Sequence, residues 1–251
     1  MLRRQVELFF CAVQFLTRLP TPALPRFEPD WTTRSARWFP LVGQVVGGMS
    51  ALVLLGAAHL WNSWIAALLA IAAGVLITGA FHEDGLADTA DGLGGGQTPE
   101  RRLEIMKDSR VGTYGVIALV IVLGLKVAAL ASLAPAMAAL GLLAANGAGR
   151  AAAVVVMRLS PYAGDIQAAK WKPVPDGVRS SEVLTAVLIA AWPLVFLPPL
   201  NVALGLGIGG VLVLAIVLLA RRLIGGHTGD VLGAVEQVFE LGFLLGLAAA
   251  L

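Results

Sequence analysis

Residues 63–96 read SWIAALLAIAAGVLITGAFHEDGLADTADGLGGG, an apolar run that leads directly into a string of acidic residues. The apolar half is close to the ~20 residues that a helix needs to cross a bilayer. In the acidic half, Asp84, Asp88 and Asp91 fall at about 0°, 40° and −20° around a helix, on one narrow face. This junction predicts a membrane helix that ends in clustered carboxylates.

The composition is that of a polytopic membrane protein. Mean hydropathy is +0.83, apolar residues make up 58% of the 251 residues, and charged residues only 14%. The apolar runs lack the alternation of a membrane barrel, so helices are the remaining way to satisfy the backbone in lipid. We expect an all-α bundle with about seven transmembrane helices, near residues 40–60, 63–82, 113–133, 136–157, 182–199, 201–220 and 230–250.

The first residues are patterned as an amphipathic helix that lies in the membrane interface. Its apolar stripe runs beside Arg3 and Arg4 and consists of Val6, Phe9, Phe10, Val13 and Leu16. We expect one domain over residues 1–251, with 1–39 as an N-terminal segment and 40–251 as the bundle. The single Cys11 excludes an intrachain disulfide and a cysteine-based metal site.

Lysine and arginine predict the orientation. Segments 1–39, 82–112, 158–181 and 221–229 contain six, four, four and two of them, whereas the alternate connections contain none. Positive loops stay in the cytoplasm, so the N-terminus and these segments are expected there and the C-terminus on the opposite side. The formal net charge of +2 mostly reflects this topology and says little about partners; no nucleic-acid partner is expected.

The acidic string predicts a metal site. Like charges on one helix face repel each other, so a bound cation is the simplest way to hold them together. Oxygen-only ligands favour Mg²⁺ or another hard ion, with Glu83, Asp84, Asp88 and Asp91 as candidate ligands. The alternative is a solvated polar cap, which usually needs only one or two charges.

Two glycine-containing helix starts follow. Residues 106–115, MKDSRVGTYG, place Lys107 and Arg110 before a span, where helix N–H groups and cations can bind an anion. Residues 225–230, GGHTGD, offer His227 as a general base or donor and Asp230 in the first turn of the last span. Complementing the helix dipole is the alternative explanation for Asp230.

Charged residues also occur inside the predicted spans. Arg150 costs ~2.5–3.5 kcal/mol to insert, so we expect it to pair with a carboxylate or to reach a phosphate. Asn146 lies one turn away on the same face. Glu236 and Glu240 are one turn apart and must face protein or a wet cavity, which could join them to the same polar pocket.

The strings HEDGLADTADGLGG (82–95) and KDSRVGTYG (107–115) resemble the cobalamin synthase family, the adenosylcobinamide-GDP ribazoletransferases. The resemblance extends to FPLVG (39–43), Arg150 and GHTGD (226–230) and covers the whole chain. It implies an integral enzyme of the bacterial inner membrane. That enzyme would join α-ribazole, or its 5′-phosphate, to adenosylcobinamide-GDP with Mg²⁺ and release GMP.

The resemblance also implies roles for the candidate residues. The four acidic residues named above would hold Mg²⁺ against the pyrophosphate, with Asp84 and Asp88 central to catalysis. His227, Asp230 or a metal-bound carboxylate would take the proton of the attacking hydroxyl. The substrate would be bound by a further set, which consists of Lys107, Asp108, Arg110, Asn146 and Arg150. Of these, Lys107, Arg110 and Arg150 would carry the charge of the phosphates.

Other functions remain open at this point. A CDP-alcohol-type phosphotransferase also uses aspartates at a helix end, but its pattern has Arg where this chain has Asp88. A cation transporter would use the acidic cluster as an ion path, and a membrane anchor for soluble partners would not need it. The lipid bilayer is the expected surrounding. Homo-oligomers and contacts with other cobalamin-assembly enzymes are both open.

Overall fold

The computed structural model describes residues 2–24, 30–164 and 177–249. The helices within these ranges are α1 (Leu2–Leu16), α2 (Trp31–Ser35), α3 (Phe39–Ala57), α4 (Ser63–Thr78), α5 (Phe81–Gly95), α6 (Pro99–Met106), α7 (Thr113–Ser132), α8 (Pro135–Leu159), α9 (Ser180–Ala191), α10 (Pro199–Ile224) and α11 (Gly229–Leu247). Two short 3-10 helices, Ala36–Trp38 and Trp192–Phe196, extend α2 and α9. In these ranges the only β pairing is a single bridge between Tyr162 and His227. Part of the predicted loop 158–181 lies outside the described residues.

The all-α membrane fold is confirmed, whereas the count of seven spans is not. Helices lie at all seven predicted places, but four segments are long and apolar enough to cross a membrane alone: Thr33–Ala57, Thr113–Ser132, Pro135–Leu159 and Pro199–Ile224. The pair α4 and α5 would make a fifth as one broken span. Of the others, α9 has only 12 residues and α11 carries three carboxylates.

The N-terminal helix is present, and its buried face is broader than the predicted stripe. Val13 and Leu16 are buried as expected, but Val6 is 46% exposed. The side chains that pack most deeply also include Leu8 and Cys11, because α1 lies against α2 and α3. This arrangement makes α1 part of the bundle, and its location at a membrane interface stays a prediction.

A sharp bend separates the apolar and acidic halves of the opening sequence. Helices α4 and α5 meet at 91°, and the two residues between them have positive φ, +68° at Gly79 and +59° at Ala80. Left-handed residues end helices by closing the last turn, here with Ala80 N–H donating to Val75 O at 2.9 Å. The acidic helix therefore turns away from the direction of α4, and Gly94–Gly96 end it as expected.

Small residues let the last helix approach its neighbours closely. An added Cβ at Gly85 of α5 would lie 2.9 Å from Asp230 O, and one at Gly233 of α11 would lie 3.3 Å from Gly85 Cα. Where α11 packs on α10, a Cβ added at Gly242 of α11 would lie 2.6 Å from the Cα of Gly209 of α10. Glycine at such crossings brings helix backbones into van der Waals contact.

Polar side chains fill the middle of the bundle in a cluster that we call the ionic core. It consists of His82, Glu83, Lys126, Arg150, Glu236, Gln237 and Glu240, all buried except the half-buried Glu83. These residues come from α5, α7, α8 and α11. Charges in this position are tolerated only when they are paired, so the contacts between them hold the four helices together.

Arg150 lies at the centre of the ionic core. Its Nη1 is 2.9 Å from Glu236 Oε1 and 3.4 Å from Glu240 Oε1. Lys126 Nζ donates to Glu240 Oε2 at 2.6 Å and to Gln237 Oε1 at 2.7 Å. The expectation that Arg150 pairs with a carboxylate is confirmed.

The ionic core also holds the first turn of α5 against α11. His82 Nε2 lies 2.9 Å from Glu236 Oε2, and Gln237 Nε2 donates to Glu83 Oε1 at 3.0 Å. The cavity beside these residues encloses only about 30 Å³. Small-molecule pockets measure ~300–1,000 Å³, so a nucleotide-sized ligand must approach α5 from outside the bundle.

The contact between α10 and α11 can be tested by adding one methyl group. Gly246→Ala would place a Cβ against the backbone of Gly205, whereas Gly210→Ala on α10 would meet no atom within 4 Å. We expect Gly246→Ala to cost ~1–3 kcal/mol of stability through overpacking, and Gly210→Ala to be tolerated. Thermal unfolding of the purified protein in detergent measures both. Equal unfolding temperatures would contradict the close crossing.

Removal of Arg150 tests the ionic core. Arg150→Ala leaves Glu236 and Glu240 without their shared cation, and breaking a buried pair in this way typically costs ~3–5 kcal/mol. We therefore expect a large fall in unfolding temperature, and a loss of turnover with it. Arg221→Ala, at an exposed position in the last turn of α10, is the control that should change little. Unaltered stability of Arg150→Ala would refute the pairing.

Candidate functional site

Three carboxylates lie near one another where α5 crosses α11, and we call them the carboxylate cluster: Asp84, Asp88 and Asp230. The close approach of Gly85 to the backbone of Asp230 brings the two helices together here. Asp84 is exposed, and Asp88 and Asp230 are half-buried. Because α5 is polar and turned 91° from α4, we treat it as lying outside the membrane-spanning segments. Burial, followed by the negative charges of Asp84, Asp230 and Asp91, raises the pKa of Asp88 to about 7.

The carboxylate cluster suits a hard cation that binds together with a phosphate. In the described chain, no three His, Cys, Asp or Glu side chains converge on one point as a closed metal cage would require. Mg²⁺ rarely uses such a cage and is usually held by one or two carboxylates, waters and substrate phosphates. Burial first, and then the neighbouring negative charges, raise the pKa of Asp88, and a bound cation would favour its charged form again.

The four predicted metal ligands do not all point to the same place. Asp84 and Asp88 join Asp230 in the carboxylate cluster. Glu83 instead accepts a hydrogen bond from Gln237 in the ionic core. Asp91 accepts two from α7, as its Oδ2 takes the Gly112 N–H at 2.7 Å and its Oδ1 the Gly115 N–H at 2.9 Å. Metal binding by Glu83 and Asp91 stays a prediction, and the structure gives both carboxylates protein donors.

The predicted anion site at the start of α7 needs correction. Backbone N–H groups of this helix start were expected to bind a phosphate, but Asp91 accepts two of them. A carboxylate of the protein therefore serves as the anion that complements this end of the helix dipole. The preceding residues 107–112, which we call the cationic loop, keep Lys107 and Arg110 exposed.

Within the cationic loop, Asp108 and Arg110 bind each other. Arg110 Nη2 donates to Asp108 Oδ2 at 2.6 Å, and Arg110 Nε donates to Asp108 Oδ1 at 3.0 Å. The hydrogen bonds from Arg110 lower the pKa of Asp108 to about 2. The predicted role of the three residues Lys107, Asp108 and Arg110 in substrate binding is consistent with their exposure and stays a prediction.

His227 is held by a neighbouring loop. Its backbone N–H donates to Pro161 O at 2.9 Å, its carbonyl accepts from Ala163 N–H at 2.8 Å, and its ring packs edge-on to Tyr162. Burial lowers the pKa of His227, which keeps the imidazole neutral near pH 7. Among the described residues, no hydrogen bond joins its ring to the carboxylate cluster, so its role as a base stays a prediction.

The start of α11 forms as its sequence indicates. Thr228 caps the helix by accepting the Val231 N–H at 3.3 Å, and its hydroxyl donates to Asp230 Oδ2 at 3.3 Å. Thr228 Oγ1 also lies 4.0 Å from Met106 Sδ at the end of α6. Asp230 is thus oriented by its own helix start and takes its place in the carboxylate cluster.

Arg150 and Asn146 lie in the bundle instead of beside the cationic loop. Asn146 Oδ1 accepts from Arg150 Nη1 at 3.2 Å, and Asn146 Nδ2 donates to Leu142 O at 3.1 Å. Their substrate contact stays a prediction, and the structure shows them engaged in the interior. The sequence did not single out Gln237, although it is adjacent to Glu236 and lies three residues before Glu240 on α11.

The chain is similar over nearly its full length to known proteins. Residues 8–248 match the family described as Cobalamin-5-phosphate synthase. Proteins named adenosylcobinamide-GDP ribazoletransferase match at 45% identity in Leptothrix cholodnii (98% of this chain, 96% of the relative), 41% in Vibrio cholerae (100% and 96%) and 42% in Azorhizobium caulinodans (94% and 93%). No solved structure matches. The chain therefore belongs to the cobalamin-5-phosphate synthase family and is a transferase.

Proposed function

We propose that this protein joins α-ribazole, or its 5′-phosphate, to adenosylcobinamide-GDP and releases GMP. The names of its relatives support the substrates. The observation that carries the chemistry is the carboxylate cluster at the α5–α11 crossing. Two of its members, Asp84 and Asp88, lie on α5, which also holds the cationic loop through Asp91. Acidic and basic groups are therefore both available to bind a pyrophosphate.

The reaction converts a phosphoanhydride into a phosphodiester. A hydroxyl oxygen of the ribazole forms a bond to the phosphorus attached to cobinamide, the bond from that phosphorus to the GMP oxygen breaks, and the hydroxyl proton is released. Mg²⁺, when bound with the pyrophosphate, would neutralise charge on the phosphate oxygens. The carboxylate cluster would hold this ion, and Lys107 and Arg110 would contact the phosphates.

A carboxylate is the better placed acceptor of the released proton. The pKa of about 7 of Asp88 applies before a cation binds, and a bound cation would lower it and make Asp88 a weaker base. Asp230 lies in the same cluster and is oriented by Thr228. His227 remains a third candidate, but its ring packs against residues 160–163.

The location that we propose is the bacterial inner membrane, with the carboxylate cluster facing the cytoplasm. The excess of Lys and Arg in the segments around α5, α6 and the start of α11 supports this orientation. Nucleotide substrates are present on that side of the membrane, and the small interior cavity leaves the exposed end of α5 as their route of approach.

A direct assay tests the proposal. Purified protein in liposomes is given adenosylcobinamide-GDP, α-ribazole and Mg²⁺, and GMP is measured against time. We expect GMP release that requires all three. An inactive preparation that instead conducts cations across the liposome membrane would support the transporter alternative.

The carboxylate cluster can be tested by isosteric neutralisation. Asp84→Asn and Asp88→Asn should each lower turnover by about 10²-fold or more, because charge stabilisation of this kind is a large part of catalysis. Thermal unfolding in detergent serves as the control and should stay close to that of the wild type. Near-normal turnover in both variants would remove the metal site.

Protons compete with a cation for Asp88, so the cation affinity of the carboxylate cluster should depend on pH. Asp88 must lose its proton to bind a cation, and its pKa of about 7 means that it is protonated at lower pH. Mn²⁺ or Mg²⁺ affinity measured by calorimetry should therefore fall about tenfold per pH unit below neutrality and level off above it. The same titration on Asp88→Asn should be nearly flat; an equally steep dependence would assign the proton to another group.

A further inference from the structure

We propose that Asp91 is a positioning residue that ties the cationic loop to α5, and that it is not a metal ligand. The inference rests on the proposed function. It divides the acidic string into carboxylates that face the ion, Asp84 and Asp88, and one that orients the phosphate-binding cations, Asp91.

Both oxygens of Asp91 are already used by the backbone of α7. Oδ2 accepts the Gly112 N–H at 2.7 Å and Oδ1 accepts the Gly115 N–H at 2.9 Å, and the residue is only 8% exposed. Gly112 is the N-cap residue directly before α7 and has no side chain to cap the helix itself. Asp91 therefore supplies the cap from a different helix, with hydrogen bonds strengthened by its charge.

Gly112 and Gly115 permit this contact because they have no side chain. A Cβ added at Gly112 would lie 2.5 Å from Asp91 Oδ1, and one added at Gly115 would lie 2.5 Å from Oδ2 and 3.1 Å from Ala87 O. The start of α7 can thus approach α5 only without side chains at these positions. A carboxylate enclosed this closely by backbone has little room to turn toward the carboxylate cluster.

Both ends of the cationic loop are fixed on the last turns of α5. At one end, Met106 packs so tightly on α5 that a Cβ at Gly92 would lie 2.5 Å from its Cγ. At the other end, Asp91 holds Gly112. Asp91 and Gly92 follow Asp88 by about one helical turn, so both anchors of the loop that carries Lys107 and Arg110 lie on the turn of α5 next to the carboxylate cluster.

The test separates metal binding from substrate binding in the full-length protein. Mn²⁺ affinity is measured by electron paramagnetic resonance, and KM for adenosylcobinamide-GDP and kcat are measured by GMP release. We compare wild type with Asp84→Asn, Asp91→Asn and Gly115→Ala. Gly115→Ala keeps the Asp91 carboxylate but displaces it from the start of α7. This variant therefore provides the test if Asp91→Asn fails to fold. Gly124→Ala, on the same helix with no atom within 4 Å of the new Cβ, is the matched control.

We expect Asp91→Asn and Gly115→Ala to keep Mn²⁺ affinity within about twofold of wild type and to raise KM about tenfold or more, with a smaller change in kcat. Hydrogen exchange at the amides of residues 112 and 115 should accelerate in both. Asp84→Asn should lose Mn²⁺ binding, and Gly124→Ala should match wild type in every measurement.

Three results would count against the positioning role. A loss of Mn²⁺ binding in Asp91→Asn comparable to that in Asp84→Asn would make Asp91 a ligand, and an unchanged KM in Gly115→Ala would remove the link to the loop. In both cases an active wild type leaves the proposed function standing. A wild type that releases no GMP would refute the proposed function, and with it the inference.

Discussion

The site depends on the close crossing of α5 and α11. Gly85 and Gly233 bring the two backbones into contact, and only this contact places Asp230 beside Asp84 and Asp88. The crossing also explains why α5 can leave the direction of α4 by 91°, since α11 offers it a surface to pack on. A carboxylate cluster built from two helices is fixed by packing, whereas three acids on one isolated helix would only repel each other.

The ionic core also stabilises the crossing of α5 and α11. His82 and Glu83 flank the acidic face of α5 and contact Glu236 and Gln237 on α11. Such buried polar pairs add little net stability but are costly to mismatch, so they favour one register of the two helices over others. The charges inside the bundle therefore favour one helix register, whereas the charges at its surface are those for which we propose a role in chemistry.

The sequence predicted where the helices lie better than it predicted which residues contact each other. Hydropathy placed the helices, and the acidic string was correctly placed on a helix that follows an apolar one. The one-face spacing of Asp84, Asp88 and Asp91 could not show that Asp91 is occupied by Gly112 and Gly115, because that contact joins residues 21 and 24 positions apart. Hydropathy alone did not decide whether α11 spans the membrane for a similar reason, since Glu236 and Glu240 are paired with residues on other helices.

The order of helices along the chain has a consequence for biogenesis. Lys126 and Arg150 enter the membrane with α7 and α8, but Glu240, which contacts both, arrives with α11, the last described helix. Until α11 inserts, the nascent chain carries two cations in a half-built bundle without that carboxylate. Correct integration is thus completed only late in synthesis, and a ribosome stalled before α11 would leave an intermediate suited to recognition by membrane quality-control proteases.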